Sequence, residues 1–222
     1  MSSEPSLADL YRFAQASLST LMRGLTGEQL ARPVPALPTW TVRDTISHVA
    51  GIPDDAFNGR MDGAPGEAWT AAQLDRWRDT PVDVLLDQWD AQASSFADVI
   101  EQIAESRPPM DCQSHEHDLR GALGLPGNRA NLVISFAVVQ MLAELSIGRP
   151  LTVRFTDRTS IVGGAPDGQP ITLSGVTEFE IFRSRLGRRS RRQVEAYDWS
   201  DDPTSVLDHW FLFGPAAGAV IE

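Results

Sequence analysis

The 222-residue sequence predicts an α+β protein, with a mainly α-helical bundle over residues 1–148 followed by a small α/β domain over residues 149–222. Two observations carry this. Apolar residues recur every three to four positions through long segments as far as Gly148, which is the period of a helix with one buried face. After "GRP" at 148–150 the pattern changes to short alternating runs separated by Gly and Pro, which is the period of strands. The chain holds neither an internal repeat nor a low-complexity segment.

Ser6 is placed to cap a first helix in which Leu7, Leu10, Tyr11, Ala14, Leu18, Leu21 and Met22 keep helical spacing. "RPVPALPTW" interrupts with three prolines, and Thr41 or Thr39 caps a second helix, "VRDTISHVAGIPDDAF". Its stripe is Val42, Ile46, Val49 and Ala50, with His48 beside it. The longest helix follows, with Pro81 in its first turn and an apolar run from Val84 and Leu85 through Trp89 and Phe96 to Ile103. After "SRPPM", the stretch from Asp111 reads as a helix ended by "LGLPGN". "RANLVISFAVVQMLAELSIG" is apolar on nearly every side and is expected to be the helix buried deepest in the bundle. In the second domain, "LTVRFTD", "TSIVG" and "PITLSG" read as strands, "VTEFEIFRSRLG" as an amphipathic helix and "QVEAYDW" as a further strand.

With 42% hydrophobic and 22% charged residues the chain can bury a core. Its net charge of -11 argues against nucleic acid as the main partner, since phosphate binding needs a basic face. One cysteine, Cys112, allows no intramolecular disulfide and fits a reducing compartment. The first residues lack a basic segment followed by an apolar one, and no stretch approaches the roughly 20 apolar residues of a membrane span. A cytoplasmic address is the expectation.

The chemistry concentrates in "DCQSHEHDLRGALGLPG", residues 111–127. A helix turns about 100° per residue, so Asp111, His115 and Asp118 share one stripe while His117 points nearly the opposite way. Asp111 and His115 then offer a carboxylate and an imidazole one turn apart, and His48 supplies a third donor from another helix. Two imidazoles and one carboxylate suit Zn²⁺ or a similar ion, with Asp118 available to hydrogen-bond the His115 ring or to complete the shell. Spacing alone leaves a polar helix as the alternative. Glu116, His117 and His209 read as solvent-facing or locally bonded groups, Cys112 as structural, and the tryptophans as packing residues. The run Arg183, Arg185, Arg188, Arg189, Arg191 and Arg192 reads mostly as a solvated face.

Two segments together carry a resemblance. "TWTVRDTISHVAG" (39–51) and "DCQSHEHDLRGALGLPGNR" (111–129) resemble motifs of the mycothiol-dependent maleylpyruvate isomerase family, within the DinB-like metalloprotein superfamily. "FEIFRSRLGRRSRRQVEAYDW" (179–199) resembles the Arg-rich stretch near the end of many relatives. The resemblance implies a DinB-like four-helix bundle carrying a metal on His48, Asp111 and His115, where the family usually has Glu in place of Asp111. It implies mycothiol as cofactor, bound between the domains. Arg188, followed by Arg189, becomes the candidate to hold a carboxylate of the substrate or thiol. A cation near a thiol favours the thiolate, which could isomerise an activated double bond or remain attached to it. The expected activity is thus a metal-dependent, mycothiol-using isomerase or S-transferase acting on a small electrophile. A non-catalytic binding or stress-related protein with an altered metal site is the alternative that Asp111 favours. Pairing into a homodimer is a third reading that the sequence leaves open.

Overall fold

The computed structural model describes residues 5–156, 161–165 and 167–221. It divides into two compact units, Met1–Gly127 and Asn128–Ile221.

The first unit is built on α1 (Leu7–Met22), the short α2 (Gly27–Leu30), α3 (Val42–Phe57), α4 (Glu67–Trp77), α5 (Val82–Gln102) and α6 (Arg107–Leu123). The four long helices α1, α3, α5 and α6 form the bundle, with α1 packed on α5 and α6, and α3 on the same two. Ser6 caps α1 through the amide of Asp9, and Thr41 with Asp44 forms a reciprocal capping box at the start of α3. These caps settle the backbone donors that a helix start leaves open. Tyr11, Leu18, Met22, Ile46, Trp89 and Ile100 are essentially solvent-free. Trp89 donates its indole N–H to the Tyr11 hydroxyl at 3.0 Å, so the one polar atom of the largest core side chain is satisfied. Arg43, next to the α3 cap, turns inward to the carbonyls of Trp77 and Thr80 at the end of α4. It thereby ties the last carbonyl of α4 to the loop that follows the helix.

The second unit contains α7 (Leu132–Ala143), β1 (Pro150–Phe155), β2 (Ile161–Gly164), β3 (Ile171–Val176), α8 (Glu178–Arg185), α9 (Arg191–Glu195), β4 (Asp198–Trp199) and α10 (Thr204–Leu207). The sheet runs β2-β1-β3-β4, with β1 and β3 parallel and both outer pairs antiparallel. Phe179, Ile181 and Phe182 of α8 are buried, as the amphipathic pattern predicts.

Three expectations change here. The compact units part at Gly127, not near residue 148, because α7 packs on α8 and β2. It is therefore not the deepest helix of the bundle, and Leu132 and Val139 on it are exposed. A Cβ on Gly163 would lie 2.7 Å from the Leu142 carbonyl, so β2 meets the end of α7 at a position that admits only glycine. "QVEAYDW" is not a strand over its length. Ser190 and Gln193 form a capping box that starts α9, leaving only Asp198 and Trp199 to pair with β3. Helix α4 has no counterpart in the sequence reading, and it supplies part of the site.

Candidate metal centre

Helix α6 carries six consecutive polar side chains, Gln113 to Asp118, and every one of them is at most 4% exposed. His117 and Glu116 are thus not solvent-facing. Glu116 accepts from Arg120 at 2.8 Å and from Gln113 at 3.3 Å, and the loop at Gly127 lies against the His117 ring. His209 is exposed. Burying such a polar segment is costly unless its groups are paired or bind something.

On the stripe of α6 that faces α3, His48, Asp111 and His115 bring one ligand atom each to within 4.8 Å of one another. Asp111 Oδ1 lies 3.3 Å from His115 Nε2, and its Oδ2 lies 3.6 Å from His48 Nε2. The shorter carboxylate therefore reaches both rings. These separations match the edge of about 3.4 Å expected between tetrahedral ligands at bonds of about 2.1 Å. Oδ2 is sealed from solvent and lacks a hydrogen-bond partner, a buried oxygen of the kind a cation would satisfy.

Two further groups decide which ring nitrogen faces the carboxylate. His48 Nδ1–H donates to Gln73 Oε1 at 2.9 Å, and His115 Nδ1–H donates to Asp118 Oδ2 at 3.0 Å. Both acceptors favour a proton on Nδ1, so either ring, when it carries a single proton, presents the Nε2 lone pair inward. Gln73 is fully buried on α4, the helix the sequence reading lacks. Trp40 stacks against His115 with centroids 6.1 Å apart and meets His48 edge-on at 5.3 Å. Trp69 of α4 meets His48 edge-on at 5.8 Å. These two indoles wall the cluster, a role beyond general packing. Trp40 is presented by the proline-rich loop, where Val34 N–H bonds the Trp40 carbonyl and Thr39 takes a left-handed φ of 79°. Such a backbone costs a non-glycine residue about 1 kcal/mol.

The cluster is electrostatically tight. Burial alone would lower the His115 pKa, but Asp111 and Asp118 outweigh it and raise the value to about 9. Burial likewise opposes ionisation of Asp111, yet His115 and His48 hold its carboxyl far below the usual range. Cys112 on the neighbouring face is buried, and burial with the nearby Asp111 and Glu116 charges pushes its thiol well up. That is the opposite of an activated nucleophile.

The arginine run is a solvated face only at its end, where Arg192 is exposed. Arg183, Arg185 and Arg189 are buried. Arg185 reaches the carbonyls of Met141, His209 and Trp210, and Arg189 holds Glu180 in a two-bond fork at 2.8 Å on each arm. Tyr197 adds a bond to the same carboxylate at 2.9 Å. Arg188 is half-buried and donates to the Leu186 carbonyl at 2.7 Å.

Residues 11–120 match the family described as the mycothiol maleylpyruvate isomerase N-terminal domain. This segment, about half of the chain, is a domain of that family. The match runs from within α1 through most of α6 and includes all three cluster residues. Two solved structures share the fold of the family enzyme. One is the crystal structure of the mycothiol-dependent maleylpyruvate isomerase, at TM-score 0.54 and 13% identity, covering 88% of this chain and 92% of that one. The other is a histidine-to-alanine mutant of the mycothiol-dependent maleylpyruvate isomerase, at TM-score 0.53 with the same identity and coverage. No curated protein sequence matches the chain. Among the described residues, no helix is long and apolar enough to cross a membrane.

Proposed function

We propose that the protein is a metal-dependent, mycothiol-using isomerase or S-transferase acting on a small electrophilic, carboxylated molecule. The observation that carries this reading is the buried cluster of His48, Asp111 and His115, with both histidines oriented from behind. The family of residues 11–120 supplies the thiol and the class of reaction.

His48, Asp111 and His115 would hold the ion, and Zn²⁺ suits their two nitrogens and one oxygen. When bound, such an ion favours the thiolate of a nearby thiol and polarises a carbonyl. Gln73 and Asp118 keep the Nε2 lone pairs inward, and Trp40 and Trp69 exclude water from the two rings. Asp111 balances the positive charge gathered there. We assign Arg188 to the substrate or thiol carboxylate, with Arg189 supporting it by bracing the same turn against Glu180.

The test is elemental analysis of protein purified without chelators, followed by turnover of maleylpyruvate and of other activated double bonds with and without mycothiol. One equivalent of metal and thiol-dependent turnover are expected. Metal-free protein that also refuses added Zn²⁺, Mn²⁺ or Ni²⁺ would instead favour a binding protein on the same scaffold.

A further inference from the structure

Asp55, in the last turn of α3, is completely buried, and the proposed chemistry gives it no part. Its Oδ1 accepts from Arg60 Nε at 2.8 Å and from Arg76 of α4. Arg60 also holds Asp54, which takes Gln88 of α5 at 3.0 Å. A buried ion cluster of this kind roughly breaks even in stability against apolar packing, so its best-supported use is to fix register. The register at issue is that of α4. Arg76 follows Gln73 by three residues on the same helix. A Cβ on Gly51 would lie 3.0 Å from Trp77 Nε1 and 3.5 Å from Gln73 Nε2, so α4 rests on α3 directly at a glycine one turn from His48. The loop between the helices is tied in as well, since Trp69 Nε1 donates to the Arg60 carbonyl at 2.9 Å.

We infer that Asp55 is a positioning residue for His48, acting through Arg76 to hold α4 where Gln73 Oε1 receives the His48 Nδ1 proton. The chain of contacts is continuous: Asp55 to Arg76, Arg76 along α4 to Gln73, Gln73 to His48 Nδ1, and His48 Nε2 to Asp111. An α4 that slides loses the acceptor and frees the His48 ring to carry its proton on Nε2, the atom a cation needs bare. This inference rests on His48 being a ligand, so its experiment reads the ring before any metal is added.

The full chain is compared with Arg76→Gln, Asp55→Asn and Arg76→Lys by long-range ¹H–¹⁵N spectra of the metal-free protein, then by Co²⁺ titration. In the parent, His48 carries its proton on Nδ1. In Arg76→Gln and Asp55→Asn the Nε2-protonated form appears and Co²⁺ affinity falls about tenfold to a hundredfold, while Arg76→Lys keeps most of both. Arg60→Gln, which leaves the Asp55–Arg76 contact in place, changes Co²⁺ affinity by less than about threefold, within the usual context scatter of a single contact. An Arg76→Gln protein that melts cooperatively yet keeps the parent His48 spectrum and Co²⁺ affinity overturns the inference. A parent that refuses Co²⁺ while its variants still lose the Nδ1 proton overturns the metal assignment and upholds the positioning role.

Discussion

His115 Nδ1 and Asp118 Oδ2 are 3.0 Å apart, one turn of the same helix, and this pairing turns the far side of the ring to Asp111. The bond favours one tautomer and raises the basicity of Nε2, so it would serve a bound cation as much as the ring does. Asp118→Asn should weaken Zn²⁺ binding about tenfold to a hundredfold. Chelator competition measures it, and an unchanged affinity would remove Asp118 from the centre.

Loss of a ligand should be more severe. His48→Ala and His115→Ala should each come from purification with far less than one equivalent of metal, and added Zn²⁺ should no longer raise their melting temperature. The parent protein, with free Zn²⁺ at about 100 times the dissociation constant, should gain about 2.7 kcal/mol from the ion. Variants that keep that gain would show that the three residues are not the site.

Metal uptake should depend on pH in one direction. The metal-free His115 pKa is raised to about 9, so the ring is charged at pH 7 and must lose its proton to bind. Affinity should climb about tenfold per pH unit from 7 toward 9 and then level off. Calorimetry in buffers of different ionisation enthalpy should count about one proton released at pH 7 and close to none above about 10.5. Equal proton release at both would contradict the Asp111–His115–Asp118 coupling.

Cys112 is buried and its thiol pKa is raised, so it should resist iodoacetamide in the native protein and react on unfolding. Cys112→Ala should retain thiol-dependent turnover. Rapid native alkylation that abolishes turnover would give the cysteine a role it is denied here.

In the second unit, Glu180 is paired with Arg189 and Tyr197. Burial works against its ionisation, but Arg189 and then Tyr197 hold its pKa below the ordinary value. A lowered acid pKa contributes stability that is present above the unfolded value of about 4.3 and is lost as pH falls through the folded one. Glu180→Gln should cost about 3 kcal/mol by leaving Arg189 charged and buried, seen as faster hydrogen exchange across α8 and α9. The difference from the parent should shrink below pH 4. A pH-independent difference would mean that packing, not charge, accounts for the loss.

The grouping of His48, Asp111 and His115 was legible because its signals are local. Asp111 and His115 stand one turn apart, and His48 lies beside an apolar stripe on a capped helix. Gln73 and Trp69 were not legible, because α4 buries little else and so shows no apolar stripe. Helix α7 has apolar residues all round, and such a helix has no face from which to read its partner; only contact with α8 and β2 places it in the second unit. Helix α9 did leave a mark, the Ser190 and Gln193 capping pair, which outweighs the β-branched and aromatic residues that suggested a strand. The arginines misled for a different reason: charge spacing says nothing about carbonyls such as those of Met141 and Trp210 that arrive from distant sequence.

The walls of the cluster have an optical consequence. Trp40 and Trp69 each lie within about 6 Å of an imidazole that faces Asp111. Their emission is therefore an intrinsic gauge of what enters: a paramagnetic ion such as Cu²⁺ would quench it, whereas diamagnetic Zn²⁺ would mainly shift its wavelength. The protein carries its own dye, already sited at the place where occupancy has to be counted.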